Sequence, residues 1–288
     1  MNNGIQYKIS TKEHFYFVLK IIFATIGYGI IFIVFKTMLQ SSQATALIPI
    51  FFYVVIIILY LFFRLGLLIG YIQGNAIKVG KNQFSNLHTI LELQCKNLGI
   101  DNVPDMYIMQ NGGMLNAFAT AFMGSNYIVL YSDIVEEAYQ NNIDTVGFVI
   151  GHELGHIKRK HVLKTLILFP SIIVPFLNSA YSRACEYTCD NIGAALSPNG
   201  AKSGLLLLAA GKGIWKKVNV EKFVEQDLTE GGFWCWFAEK VSSHPKLTKR
   251  LMQFNHLIVT KPLKQNIEAI TESIEIKASD HNRFLPNA

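Results

Sequence analysis

Two long apolar runs near the N-terminus most constrain how this chain can fold. The first run covers residues 15–39 and contains Lys20 and Lys36. The second run covers residues 46–72, and Arg64 is its only charged residue. Each run exceeds the ~20 residues that a helix needs to cross a bilayer. Only residues 40–45 lie between them, and these form a short polar loop. The sequence therefore predicts a transmembrane hairpin over residues 15–73.

A cleaved signal peptide is the alternative interpretation of the first run. Residues 44–46 read Ala-Thr-Ala, which resembles a signal-peptidase site. The apolar run before them is much longer than the roughly 7–15 residues of a signal sequence core. A second long run follows at once, and these two features favour a retained membrane anchor.

Positive charges flank the predicted hairpin on its outer sides: Lys8, Lys12, Lys20, Lys78 and Lys81. The loop between the runs carries no charge. Because lysines near membrane segments favour the cytoplasmic side, we expect a multi-pass protein of the cell (inner) membrane with a cytoplasmic catalytic domain. The net charge of +6 would suit an anionic inner leaflet.

Cysteine usage agrees with a cytoplasmic domain. The four cysteines show no disulfide-framework spacing, as expected in a reducing compartment. Cys185 and Cys189 are interpreted as small packing residues. No segment resembles a nucleic-acid-binding module.

The motif His152-Glu153-Leu154-Gly155-His156 carries the most chemical information. It follows an apolar stretch, so it is predicted to lie on a buried helix. Histidines at positions i and i+4 share one helical face and can bind one metal ion. Glu153 beside them can accept a proton from an activated water. The alternative is a core helix with two hydrogen-bonded histidines.

Glycines flank the two histidines of this predicted helix. Gly151 and Gly155 each cost about 1 kcal/mol of helix propensity relative to alanine. A sequence optimised for helix stability alone would avoid them. We therefore expect another backbone, such as a strand or a second ligand helix, to approach this helix closely.

A catalytic zinc needs a third protein ligand, and Glu186 is the best candidate. The pattern with a third histidine six residues after the second is excluded, because position 162 is Val162. Glu186 and Asp190 are again four residues apart, so a carboxylate ligand and a carboxylate that orients a ligand histidine could share one face. The alternative is a solvated acidic pair.

These motifs resemble the M48 family of membrane zinc metallopeptidases. His-Glu-Leu-Gly-His is followed by Ser-Arg-x-x-Glu-x-x-x-Asp and by Ser243-His244-Pro245, and residues 116–119 resemble the Asn-Ala-Phe-Ala segment of the family. The resemblance implies a gluzincin with one Zn²⁺ per chain held by His152, His156 and Glu186. It implies Glu153 as the general base, and His244 as a contact to the substrate carbonyl or oxyanion.

Strands are predicted before the histidine helix, over residues 106–109, 116–120 and 127–131. The fold class is therefore α+β and mainly helical, with a small sheet. The resemblance implies a zincin-like domain in which Asn116, Ala117, Phe118 and Ala119 lie on or beside a substrate-binding edge strand. The alternative is a plain hairpin. The domain is predicted over residues 74–264, between an N-terminal segment, residues 1–14, and a polar tail, residues 265–288.

Residues 162–177 are apolar but contain Lys164, Pro170 and Pro175. A single crossing here would separate His156 and Glu186 by the bilayer, and sixteen residues cannot cross twice. We therefore expect this segment to dip against the membrane or cover the domain. An aromatic segment, residues 233–237, is expected to pack on the core, and the alternative is that it lines a substrate groove.

The sequence thus favours a membrane-anchored zinc endopeptidase that acts on polypeptides. By analogy within the family, misfolded membrane proteins are the expected substrates and membrane protein quality control the expected role. A non-catalytic zinc-binding membrane scaffold is the alternative, and a zinc hydrolase of lipid amides is another. The retained ligands and glutamate argue against the scaffold.

Overall fold

The computed structural model describes residues 5–41, 44–110, 117–140 and 142–254. The helices in these ranges are α1 Thr11–Gln40, α2 Leu47–Asn75, α3 Ser85–Leu98, α4 Ser132–Gln140, α5 Ile143–Lys158, α6 His161–Ile167, α7 Leu177–Leu196, α8 Gly200–Ala210, α9 Val220–Thr229, α10 Phe233–Val241 and α11 Leu247–Phe254. Short 3-10 helices occur at Ala44–Ala46, Phe169–Ile173 and Trp215–Lys217. The strands are β1 Ile77–Lys78, β2 Asp105–Met109, β3 Ala117–Phe122 and β4 Ser125–Tyr131. The mainly helical fold with a small sheet confirms the predicted α+β class.

The two apolar runs form the two longest helices of the described chain. Both α1 and α2 are long and apolar enough to cross a membrane. At 1.5 Å per residue, the 30 residues of α1 extend about 45 Å, which exceeds the ~30 Å hydrocarbon core. Large apolar side chains along both helices are exposed, as lipid-facing residues would be: Phe32, Phe51, Tyr53 and Leu67.

The first half of α1 packs against the remainder of the fold. Glu13, Lys20 and Ala24 are buried on this helix, which lies against α7. The Lys20 Nζ atom donates a hydrogen bond to Asn178 Oδ1 at 2.6 Å. The polar residues Glu13 and Lys20, near the start of this apolar helix, therefore contact the rest of the domain.

The sheet has the strand order β1-β2-β4-β3. The β2–β4 pair is parallel, whereas β1–β2 and β3–β4 are antiparallel. Alternating side chains of β4 enter two apolar clusters: Ile128 and Leu130 join the main core, and Tyr127 and Val129 pack with the end of α2. The predicted strands are thus confirmed within the described residues, while Asn116 lies outside them.

The chain between α5 and α7 returns without a membrane-length helix. It consists of the short α6 and the 3-10 helix Phe169–Ile173, neither long enough to span a bilayer. It lies against α1, where the Tyr28 hydroxyl donates to the Ile167 carbonyl at 2.8 Å. Apolar side chains here remain exposed, including Ile173 at 81%. This arrangement agrees with the expectation that the segment does not cross.

The aromatic segment before α11 differs from expectation. Residues 233–237 lie on α10, where Phe233, Trp234 and Trp236 are exposed rather than packed in the core. Their rings contact one another and Phe237 instead of the core. Local aromatic content could not specify which way this helix faces. The predicted polar tail, residues 265–288, lies outside the described residues.

Candidate metal centre and active site

The two helices that carry the predicted ligands pack very closely. A Cβ atom added at Gly151 of α5 would lie 3.0 Å from the Cα atom of Gly193 on α7. A Cβ atom added at Gly155 would lie 3.2 Å from the Cα atom of Cys189. The flanking glycines therefore allow the second helix to approach, as expected from their cost to helix stability.

This close packing brings three donor groups to one point. The Nε2 atoms of His152 and His156 lie 3.3 Å apart. Glu186 faces both rings, with Oε2 at 3.4 Å from His152 Nε2 and Oε1 at 3.4 Å from His156 Nε2. The three side chains form a group that could hold a metal ion.

A buried carboxylate orients the first histidine of this group. The Nδ1 atom of His152 lies 2.9 Å from Asp190 Oδ1. Arg250 of α11 donates to both oxygens of Asp190, at 2.8 and 2.6 Å, and its Nη1 atom lies 3.4 Å from Glu186 Oε2. Sequence reasoning found Asp190 but missed Arg250, since no local spacing links residues 60 positions apart.

The electrostatics of the group favour a cation. Burial alone would lower the pKa of His152, but hydrogen bonds and charge from Asp190 and Glu186 outweigh it and raise the pKa to about 10. Burial opposes ionisation of Glu186, yet His152 and His156 hold its pKa well below the usual value. Burial likewise opposes ionisation of Asp190, but Arg250 and His152 lower its pKa. Two ionised carboxylates thus face the histidines.

A cavity of about 330 Å³ opens beside these ligands. Glu153, which is only 7% exposed, lines it together with Ala117 and His244. Ala119 packs on the main core, whereas Phe118 lies on the opposite face of β3 against Tyr131. Of the predicted substrate segment, Ala117 is therefore the described residue that reaches the cavity.

His244 lines the same cavity, and its side chain is largely exposed to solvent. Its Nε2 atom is 3.6 Å from Glu186 Oε1, and its side chain is 64% exposed. The Ser243 hydroxyl lies 2.9 Å from its Nδ1 atom. Arg183 of α7 fixes the preceding loop by donating to the carbonyls of Lys240 and Ser242 at 2.8 and 2.7 Å. The Ser-Arg-x-x-Glu motif thus links Glu186, the predicted third ligand, to the loop that carries His244.

The comparisons with known proteins address the same region. The sequence model of peptidase family M48 matches residues 81–177 of this chain. This match confirms the M48 resemblance and supports a metallopeptidase. It includes His152, Glu153 and His156 but ends where α7 begins, before Glu186, Asp190 and His244. The M48 match therefore covers the histidine motif, and the remaining site residues rest on geometry.

Among solved structures, the chain is similar to the crystal structure of S. mikatae Ste24p. The sequence identity is 16% and the TM-score is 0.46, over 86% of this chain and 67% of that chain. No curated protein matches the chain.

Proposed function

We propose that this protein is a membrane-anchored zinc-dependent endopeptidase. The close approach of three donor groups carries the proposal: the Nε2 atoms of His152 and His156 lie 3.3 Å apart, and each lies 3.4 Å from one oxygen of Glu186. Zinc–ligand bonds of about 2.0–2.1 Å at tetrahedral angles put donor atoms about 3.3–3.4 Å apart. Two histidines and one glutamate are also a ligand set of zinc peptidases, which leave one position for water.

The chain supplies the proton transfers and the orientation of the substrate. A zinc ion bound by these residues would supply an activated water at neutral pH. Glu153 accepts the proton of the attacking water and delivers it to the leaving amine. His244 donates a hydrogen bond to the carbonyl oxygen as negative charge develops there. Asp190, held by Arg250, keeps the His152 ring in the tautomer that exposes Nε2.

The edge strand supports a polypeptide substrate. β3 is the last strand in the sheet order, and Ala117 at its start lines the cavity. A peptide added along β3 would be held by main-chain hydrogen bonds with little sequence preference. The far end of β3 contacts α2, where the rings of Phe122 and Phe62 lie 5.4 Å apart. Such a peptide would run from the membrane helix to the metal, which supports membrane proteins as substrates. That these are misfolded proteins, cleaved in membrane protein quality control, is proposed by analogy within the M48 family.

Cleavage of an unfolded protein by the full chain in mild detergent tests this proposal. We expect cleavage by the zinc-loaded protein, complete loss with a chelator, and recovery when zinc is restored. The response depends on His152, His156 and Glu186, because these three residues would hold the metal. A zinc-loaded protein that cleaves neither unfolded proteins nor a panel of lipid amides would favour the scaffold alternative.

We further propose that α1 and α2 span the cell membrane with the catalytic domain in the cytoplasm. The flanking lysines support this orientation. A cysteine introduced at Lys212, an exposed residue of the domain, should react with an impermeant thiol reagent only from the cytoplasmic side of sealed vesicles. Cys235 is replaced by serine in this experiment, since the other three cysteines are buried. Reaction from the opposite side alone would reverse the orientation.

His244→Ala is expected to lower kcat by about 10²–10³-fold while zinc content is unchanged. The expected loss follows from the position of His244 at the cavity, where it can donate to the developing oxyanion without being a metal ligand. His88→Ala, which removes a histidine of α3 that does not line the cavity, is the matched control. A normal kcat with a raised KM would instead assign His244 to substrate binding alone.

A further inference from the structure

A second buried histidine lies directly behind the metal-binding face of His156. The Nδ1 atoms of His156 and His161 are 3.1 Å apart. Because the Nε2 atom of His156 faces His152 and Glu186, its single proton as a neutral metal ligand must sit on Nδ1. His156 therefore donates to Nδ1 of His161. His161, 6% exposed, then carries its own proton on Nε2.

The Nε2 atom of His161 in turn faces a buried carboxylate from α1. It lies 3.3 Å from Oε1 of Glu13, which is 1% exposed. Arg159 donates to the same oxygen through Nε at 3.1 Å and Nη2 at 2.9 Å. The contacts thus form a continuous series from His156 through His161 and Glu13 to Arg159, which we call the Glu13 relay.

We propose that His161 and Glu13 are positioning residues that fix the ring of His156 as a metal ligand. This inference rests on the proposed zinc site. It gives each ligand histidine its own carboxylate and arginine: Asp190 acts directly on His152, whereas Glu13 acts on His156 through His161. Carboxylates that hold ligand histidines fix the tautomer and orientation of the ring. The relay makes α1 part of the metal centre.

A second metal ion in the same place is the competing interpretation. Donor atoms of Glu13, His161 and Cys185 lie within 4.8 Å of one another. Arg159, however, already places its guanidinium on Glu13, and burial raises the pKa of the Cys185 thiol to about 12. A cation would have to displace the arginine and deprotonate the thiol. Hydrogen bonding therefore explains the cluster better.

Zinc affinity, measured by competition with a chromophoric chelator on the full chain in detergent, tests the relay. We expect His161→Ala and Glu13→Ala each to weaken affinity, by up to about 10–100-fold for His161→Ala. Because the two residues act in series, the double variant should lose no more than His161→Ala alone. Losses that multiply, or wild-type affinity in His161→Ala, would overturn the proposal.

Two further variants separate positioning from packing. Cys185→Ala removes a buried side chain beside the relay without touching its hydrogen bonds, and it should retain wild-type affinity. His161→Gln can still accept a hydrogen bond and donate one, so it should recover part of the affinity lost in His161→Ala. If His161→Ala does not fold, the zinc affinity of His161→Gln can still be compared with that of the wild type. A folded His161→Gln protein whose affinity is no higher than that of His161→Ala would overturn the proposal, because the glutamine keeps both hydrogen bonds.

The same assay distinguishes failure of the relay from failure of the zinc site. A wild-type chain that binds no zinc, or a Glu186→Gln variant that binds as well as wild type, would refute the site itself. Normal behaviour of both, together with unchanged affinity in His161→Ala, would refute the Glu13 relay alone. The absorption spectrum of the cobalt-loaded protein adds a readout independent of activity. Its visible bands should shift in His161→Ala and not in Cys185→Ala.

Discussion

Glu153→Gln is expected to lower kcat by about 10²–10⁴-fold while the protein keeps one zinc ion per chain. Glu153 lines the cavity beside the ligands and is not a member of the ligand group. Glutamine has nearly the same shape as glutamate but cannot accept the proton of the attacking water. The measurement is the initial rate of cleavage of an unfolded protein, with zinc content determined on the same sample.

Glu92→Gln provides the matched control for this substitution. Glu92 is an exposed residue of α3 that pairs with His88, so its replacement should leave both rate and zinc content unchanged. Wild-type turnover in Glu153→Gln would refute its assignment as general base. Loss of zinc in that variant would instead place Glu153 among the metal ligands.

Glu186→Gln is expected to weaken zinc affinity by more than about 100-fold. Loss of a residue that only orients a ligand lowers metal affinity by roughly 10–100-fold, and Glu186 is itself a proposed ligand. Glu186 is 3% exposed and contacts both ligand histidines, and its low pKa means that it carries a full negative charge. The amide removes that charge from the ligand group. Glu186→Gln should therefore lose both zinc binding and cleavage, whereas Glu153→Gln should lose cleavage and keep its zinc.

Glu136→Gln is the corresponding control, since Glu136 pairs with Lys212 at the surface and touches no ligand. Circular dichroism of Glu186→Gln separates loss of the metal from loss of the fold. A folded Glu186→Gln protein with wild-type zinc affinity would show that the third ligand lies elsewhere.

The parts of the site that the sequence predicted are those fixed by local helix geometry. A spacing of four residues on one helix places His152 and His156 on one face wherever that helix lies. The same rule paired Glu186 with Asp190 on α7, and the glycines beside the histidines indicated the close approach of another backbone, which the structure shows to be α7. The two apolar runs likewise predicted α1 and α2 by their length and composition.

Local sequence rules could not predict which distant residues contact Asp190 and His161. Arg250 reaches Asp190 from a helix 60 residues further along the chain, and Glu13 reaches His161 across 148 residues. The histidine His161 was visible in the sequence, but its spacing fits no familiar ligand pattern. Its role depends on how α1 packs against the domain, which the sequence does not express locally.

The sequence by itself determined the chemistry that this protein can offer: two membrane-length apolar helices, a histidine pair with a neighbouring glutamate, and a second helix with paired carboxylates. These features follow from periodicity and composition, which act over a few residues. Only the tertiary structure decided that one polar residue of the first apolar helix, Glu13, is buried against His161, next to the histidine pair. Burying a carboxylate is costly unless charged and hydrogen-bonding partners meet it. Arg159 at the end of α5 and His161 at the start of α6 reach Glu13 only when α1 packs against them.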